Sequence, residues 1–168
     1  MAGSATDIAP TVVMKFGGTS VADADRVRAA ARRIVNAKEE GNRVIAVLSA
    51  RGKTTDELIG MAHEVSNRPH PREMDMLLST GERISCALAS MVINDLGHEA
   101  VSLTGSQAGI VTDTSHTKAR IIDVRTDRIE NLLEEGRIVL VAGFQGTSAS
   151  IRGAACCSSI SPLAPHCS

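Results

Sequence analysis

The sequence has no tryptophan or tyrosine and only two phenylalanines, Phe16 and Phe144, so a core built from it must be aliphatic. Neither sign of charge is in excess, because 18 basic and 19 acidic side chains leave a net charge of −1. That balance gives no indication of a nucleic-acid or membrane surface. No apolar run approaches the ~20 residues needed to span a bilayer, and the first ten residues lack the apolar segment of a signal peptide. We therefore predict a cytoplasmic protein with no nucleic-acid and no membrane partner.

Cysteines are scarce and unevenly placed: three of the four lie in the last 13 residues, and the other is Cys86. Without an export signal, a disulfide framework is not expected. The adjacent pair Cys156 and Cys157 has neither the spacing nor the second ligand pair of a zinc site. The five histidines show no ligand spacing either. We predict no metal site from these residues.

Apolar residues make up 43% of the chain and charged residues 22%, close to the averages of folded globular proteins. Local patterns predict six strands, at 11–16, 43–49, 100–103, 109–112, 120–123 and 137–142. They also predict helices between Ser20 and Glu40 and at 54–65, 73–96 and 128–135. The first two helices are expected to open on capping boxes, Ser20 with Asp23 and Thr54 with Glu57. Strands that alternate with helices and are apolar throughout predict an α/β fold, an αβα sandwich with a mainly parallel sheet.

The turn after the first strand, KFGGTS from Lys15 to Ser20, has the composition of a phosphate-binding loop. In an open α/β sheet, ligands bind beyond the carboxyl ends of the strands, and two glycines let backbone N–H groups approach an anion. Lys15 could reach phosphate oxygens as a mobile charge. The same residues also fit an ordinary turn with a solvent-facing lysine, and spacing alone does not separate the two interpretations.

A second informative stretch is STGE, residues 79–82, inside the third predicted helix. One interpretation is structural: Ser79 and Glu82 form a capping box, and Gly81 breaks the helix at a cost of about 1 kcal/mol relative to alanine. In the other, Gly81 clears space and Glu82 binds the ammonium group of a ligand. Both remain open at the level of the sequence.

Two further loops, 104–109 and 143–147, again combine glycine with polar side chains at predicted strand ends. Four such loops together indicate a small, polar, phosphorylated ligand. With their neighbours they form the motifs KFGGTSV, SARGKTTD, REMDMLLSTGER, TGSQAG and AGFQG. In this order and spacing, over roughly residues 11–148, the motifs resemble those of the aspartate kinases.

The resemblance implies the amino-acid kinase fold and transfer of the γ-phosphate of ATP to the side-chain carboxylate of aspartate. That reaction is the first step toward lysine, threonine and methionine. The implied small-molecule partners are aspartate and ATP with Mg²⁺, whose ligands are not identifiable in these motifs, and a homo- or hetero-oligomer is expected.

The resemblance also implies roles for particular residues. Lys15 would be the catalytic residue and would bind ATP phosphates together with Phe16, Gly17 and Gly18. Thr54 or Thr55, with Glu82, would hold the aspartate. Further loop contacts are expected from Ser49, Gly143, Gln145 and Gly146.

The resemblance stops after residue 148. Aspartate kinases continue into a Gly-Arg-Gly-Gly-Ser-Asp stretch, whereas residues 149–168, here called the tail, contain one charged side chain, Arg152. We therefore predict a disordered N-terminus over 1–10, the N-terminal part of a kinase catalytic domain over 11–148, and a frame-shifted or disordered tail. Such a domain would be incomplete at its C-terminal side and inactive alone. The alternatives are a non-catalytic fragment, a partner of an intact subunit, or a kinase for another small carboxylate such as glutamate.

Overall fold

The computed structural model describes residues 9–113, 120–143, 145–148 and 157–159, the last two segments by their backbone only. The predictions for residues 1–8, and for most of the tail, lie outside these ranges. The strands are β1 (Thr11–Phe16), β2 (Arg43–Leu48), β3 (Ala100–Leu103), β4 (Ile110–Thr112), β5 (Ile121–Val124), β6 (Ile138–Ala142), β7 (Gln145–Ser148) and β8 (Cys157–Ser159). The helices are α1 (Ala24–Glu39), α2 (Thr54–Val65), α3 (Pro71–Asp95) and α4 (Asp127–Glu134).

The six predicted strands and four predicted helices are all present, with ends shifted by a few residues at most. Strands β7 and β8 were not predicted, because their sequences, QGTS and CSS, have no apolar alternation. Strand β8, within the tail, pairs antiparallel with β7.

The main sheet has the order β1-β2-β6-β3, and every pair in it is parallel, which confirms the predicted α/β class. All four carboxyl ends therefore meet at one edge. A second sheet, ordered β5-β4-β7-β8, mixes parallel and antiparallel pairs. The sequence contained no signal for this second sheet, since strand pairing depends on residues far apart in the chain.

Helices α1 and α3 cover one face of the main sheet, and α4 lies on the other face over β6 and β3. The larger core is aliphatic as predicted and joins Ile34 of α1, Leu48 of β2 and Ile93 of α3, all fully buried. The smaller core joins Leu133 of α4 to Val139 and Val141 of β6.

Two of the predicted capping boxes are wrong. A short 3-10 helix, Gly18–Val21, follows the first turn, and the N-cap of α1 is Asp23, whose carboxylate accepts a hydrogen bond from the Arg26 N–H. The N-cap of α2 is Lys53, so Thr54 is already helical. The capping-box spacing is present in both cases, but neither residue is the N-cap. Helix α1 begins after Ser20, at Ala24, and helix α2 already begins at Thr54.

Helix α3 runs unbroken through Gly81, so the structural interpretation of residues 79–82, a helix break with a capping box at Ser79, is wrong. The Ser79 hydroxyl instead donates to the Met76 carbonyl within the helix. Gly81 is needed for packing, because a Cβ built there would lie 2.8 Å from the Cβ of Ala50. The absence of a side chain therefore brings the loop after β2 into direct contact with α3.

By length and composition alone, α3 could cross a membrane, and it is the one helix in the described part of the chain of which this is true. Here it packs against the sheet, and its buried face carries Asp75, Ser79, Glu82 and Ser85.

Replacing Gly81 with alanine is expected to destabilise the fold, although alanine is the better helix former by about 1 kcal/mol. The new methyl would overlap Ala50, and overpacking of this kind costs about 1–3 kcal/mol. The free energy of unfolding in urea measures the effect. Ala50→Gly in the same chain removes the clash and should restore most of the loss; no rescue would contradict this contact.

Candidate functional site

The loops that follow β1, β2 and β6 lie side by side, because β2 sits between the other two strands in the sheet. Backbone hydrogen bonds tie them together. The Ser49 N–H donates to the Phe16 carbonyl at 3.0 Å, and the Gly52 N–H donates to the Gly18 carbonyl at 3.0 Å. The Gly143 N–H donates to the Leu48 carbonyl at 2.9 Å. Two of the predicted glycine loops, those after β1 and β6, thus form one connected edge with the loop after β2.

The two glycines of the first turn differ in what surrounds them. A Cβ at Gly18 would lie 2.7 Å from the Ala50 carbonyl oxygen, so glycine is required there for close approach of the loops. Gly17 has φ −74° and ψ 166°, a conformation open to any residue, and no described atom lies within 4 Å of where its Cβ would be. The described residues give no steric reason for glycine at position 17, and the space beside it is open.

Lys15 and Phe16 point to opposite faces of the sheet. The Lys15 side chain is exposed, on the face away from α1, at the carboxyl end of β1. Phe16 is buried in the larger core, with the Arg33 guanidinium 6.0 Å from its ring centre. Only the backbone of Phe16 is therefore available at the edge, where its carbonyl already accepts from Ser49.

The Arg51 side chain connects the loop after β2 to the segment after β1 by hydrogen bonds, a role that the sequence analysis did not predict. Its guanidinium donates to the carbonyls of Val21 and Ala22, at 3.2 and 3.3 Å, which end the 3-10 helix. Nothing in the local sequence around Arg51 signals this contact, since the acceptors lie about 30 residues earlier. These hydrogen bonds hold the first turn and the start of α2 in fixed relative positions.

The predicted aspartate-binding residues come from α2 and α3. Thr54 is half-buried in the first turn of α2, its N–H bonded to the Arg51 carbonyl at 2.8 Å, and Thr55 beside it is exposed. Glu82 is only 8% exposed and follows Gly81, where α3 contacts Ala50. The structure thus brings α2, the loop after β2 and the α3 segment with Glu82 together.

The remaining predicted positions fall into two groups. Ser49 and Gly143 are half-buried at the ends of β2 and β6, whereas Gln145 and Gly146 belong to β7, described here by its backbone. In the loop after β3, Thr104 and Gln107 bond to each other's backbone N–H groups, at 3.1 and 3.2 Å. The side-chain oxygens of Thr104 and Gln107 therefore stabilise the turn by hydrogen bonds within it.

A sequence profile of the amino acid kinase family matches residues 10–159, which is most of the chain. The chain belongs to the amino acid kinase family. The match extends beyond residue 148, where the motifs end, and includes β8.

Among individual relatives, the chain is 58% identical over 137 residues to the aspartokinase of Mycolicibacterium smegmatis. The alignment covers 82% of this chain but 32% of the relative, so the chain spans about a third of that protein's length. A crystal structure of aspartate kinase from Synechocystis is 42% identical, with a TM-score of 0.71, over 94% of this chain and 24% of that one. E. coli aspartokinase III, solved with aspartate and ADP, shares the fold at 19% identity, with a TM-score of 0.75, over 91% and 44% of the two chains.

Burial, together with the charge of Glu82 one helical turn away, raises the pKa of the Cys86 thiol to about 12. The ordinary value is 9.0, so the folded chain retains a proton that the unfolded chain loses. The resulting stability is fully present below pH 9 and is lost as the pH rises toward 12.

We therefore expect the wild-type chain to lose stability relative to Cys86→Ala as the pH is raised from about 8 to 11. The measurement is the free energy of unfolding in urea for both chains. Because both carry the same other ionisable groups, their difference isolates Cys86. Parallel curves would contradict the raised pKa.

Proposed function

We propose that this chain carries the N-terminal part of an aspartate kinase active site, which transfers the γ-phosphoryl group of ATP to the side-chain carboxylate of aspartate. The observation that carries the proposal is the open space beside Gly17, at the point where the turns after β1 and β2 interlock, with Lys15 exposed next to it. Identity of 58% to an aspartokinase supports aspartate as the acceptor. The fold alone would not, because carbamate kinase from Giardia lamblia shares it.

In the proposed reaction, a carboxylate oxygen of aspartate attacks the γ-phosphorus as the bond to the β,γ-bridging oxygen breaks and ADP leaves. An anion attacks an anion, so catalysis depends on positioning and on neutralising charge. Lys15 supplies a positive charge at the carboxyl end of β1, and the backbone at Gly17 and Gly18 lines the phosphate space.

Mg²⁺, when bound, would add charge neutralisation on the phosphates. Within the described residues, no cluster of three histidine, cysteine, aspartate or glutamate side chains could hold a metal. The described residues therefore provide no set of protein ligands that could enclose Mg²⁺. The positive charge that we assign to the phosphates from this part of the chain is that of Lys15.

For the acceptor, Glu82 is suited to pair with the aspartate ammonium, because α3 brings it beside the loop after β2. The hydroxyls of Thr54 and Thr55 lie at the start of α2, across that loop. Ser49, Gly143, Gln145 and Gly146 complete the edge as loop contacts. The product, an acyl phosphate, would enter lysine, threonine and methionine synthesis in the cytoplasm, with the kinase acting as an oligomer.

The 168-residue chain by itself is expected not to phosphorylate aspartate, because about two thirds of its aspartokinase relatives' length has no counterpart in it. Trapping of the acyl phosphate with hydroxylamine, in the presence of ATP, Mg²⁺ and aspartate, measures this. Turnover above the enzyme-free rate would show that these residues suffice.

A chimera tests the proposed activity itself. The 137 matched residues of the Mycolicibacterium smegmatis aspartokinase are replaced by their counterparts from this chain. We expect hydroxamate formation with aspartate and much less with glutamate. A folded chimera that prefers glutamate would identify a kinase for a different carboxylate, and one that binds nucleotide without using either acceptor would overturn the proposal.

A further inference from the structure

The loop between β2 and α2 contacts the segment after β1 at more than one point. The Gly52 N–H donates to the Gly18 carbonyl at 3.0 Å, and the Arg51 side chain reaches further along the same segment. Its Nε atom donates to the Val21 carbonyl at 3.2 Å, and its Nη2 atom donates to the Ala22 carbonyl at 3.3 Å. A guanidinium group suits these two acceptors, because its N–H donors are fixed in a planar fork.

The Arg51 side chain supports a part of the loop in which the backbone alone is pliable. Gly52 follows with φ +47°, a conformation that glycine adopts readily and other residues rarely adopt. A glycine here leaves the start of α2 free to pivot unless other contacts hold it. The Arg51 carbonyl accepts a hydrogen bond from the Thr54 N–H at 2.8 Å, where α2 begins. Arg51 therefore links the first turn of α2 directly to the segment after β1.

These two segments carry the groups that we assign to the two substrates. The turn after β1 contains Gly17, with the open space for the phosphates, and Lys15 lies just before it. The first turn of α2 contains Thr54, whose Cγ2 atom would lie 3.6 Å from a Cβ built at Gly81, next to Glu82. Phosphoryl transfer requires the acceptor oxygen and the phosphorus about 3–3.5 Å apart and in line with the leaving oxygen. The relative position of the two segments therefore affects the rate directly.

We infer that Arg51 is a positioning residue for this phosphoryl transfer. By holding the start of α2 against the segment after β1, its side chain sets the distance and direction between the bound acceptor and bound ATP. The inference rests on the proposed function, since that function assigns the acceptor to Thr54 and the phosphates to the turn after β1. Without the guanidinium, each substrate still binds its own segment, but the reacting atoms meet in poorer alignment.

The test compares Arg51→Met with the wild type in the chimera. Methionine keeps an unbranched apolar side chain at this half-buried position but has no N–H donor. We expect kcat to fall by about 10–100-fold while either KM changes by less than about threefold, because misalignment affects the reaction more than binding. Dividing the rate by the number of ADP-binding sites, from titration calorimetry, removes any misfolded fraction. Arg51→Lys, which can donate to one carbonyl at a time, should recover part of the loss.

Arg26→Ala is the matched control, because Arg26 also donates to a backbone carbonyl after β1 but does not connect the two segments. Its Nη1 atom donates to the Thr19 carbonyl at 2.7 Å, and its Nε atom lies 3.3 Å from an Asp23 carboxylate oxygen. Its removal should leave kcat unchanged. An equal fall in kcat in both variants would show that any loosening of this segment is enough, and would overturn the inference. An unaltered kcat per site in Arg51→Met would overturn it as well.

Amide hydrogen exchange in the 168-residue chain gives a readout that does not depend on activity. The Gly52 N–H, bonded to the Gly18 carbonyl, reports whether the two segments stay together. Arg51→Met should speed its exchange by about tenfold or more while the amides of β6 keep their rates, because the opening is local. Arg26→Ala should leave the exchange of Gly52 unchanged.

The two readouts separate this inference from the proposed function. Faster Gly52 exchange in Arg51→Met, together with a chimera that forms no aspartate-dependent ADP, supports the link between the segments and contradicts the proposed reaction. Unchanged Gly52 exchange contradicts the link, and an active chimera would then support the reaction alone.

Discussion

Lys15→Ala should lower kcat by about 10²–10³-fold in the chimera, because one preorganised charge at the transferring group contributes that much to phosphoryl or acyl transfer. The side chain is exposed and lies outside the core, so its removal should leave the unfolding temperature unchanged. Steady-state kinetics with ATP and aspartate varied in turn measure the effect. The loss should appear in kcat, because Lys15 is expected to stabilise the charge as it is redistributed over the transferring group in the transition state more than it stabilises bound ATP.

Lys38→Ala is the matched control for Lys15. Lys38 lies in the last turn of α1, which leads into the amino end of β2 at the opposite edge of the sheet. Its removal should change neither kinetic constant. If Lys15→Ala raised the KM for ATP with kcat unaltered, Lys15 would be a binding residue rather than a catalytic one.

Gly18→Ala should destabilise the fold and Gly17→Ala should not, although they are the same substitution at neighbouring positions. At Gly18 the added methyl would lie 2.7 Å from a backbone oxygen of a loop that three hydrogen bonds hold in place, so we expect a loss of stability of about 1–3 kcal/mol. At Gly17 the methyl meets no described atom and the backbone angles suit alanine, so stability should change by less than about 0.5 kcal/mol.

For ADP affinity, in contrast to stability, we expect the larger loss in Gly17→Ala. The Gly17→Ala methyl occupies the space that we assign to the phosphates, and titration calorimetry with ADP should show a clear loss of affinity in a fully folded protein. Urea unfolding of the same samples supplies the stability comparison. Normal ADP affinity in Gly17→Ala would place the phosphates elsewhere.

Much of the local structure was predictable because its causes are local. Aliphatic runs such as Val44–Leu48 and Ile138–Ala142 ended at glycine or polar residues, and these became strands β2 and β6. The capping boxes at Ser20 and Thr54 were predicted wrongly, since a side chain can cap only if the backbone arrives in an extended conformation, and that depends on the preceding turn. The family motifs indicated the positions of the loops but gave no distances between them.

The sequence by itself determined the α/β class, the aliphatic core and the family to which the chain belongs, because these follow from residue types and their order. Only the tertiary structure decided that β6 lies between β2 and β3, which places the loop after β6 beside the first two. Only the tertiary structure separated Gly17 from Gly18, explained Gly81 by its contact with Ala50, and left the Val13 side chain of β1 exposed. Each of these depends on which distant segments approach each other, and a residue's identity does not reveal the atoms that will surround it.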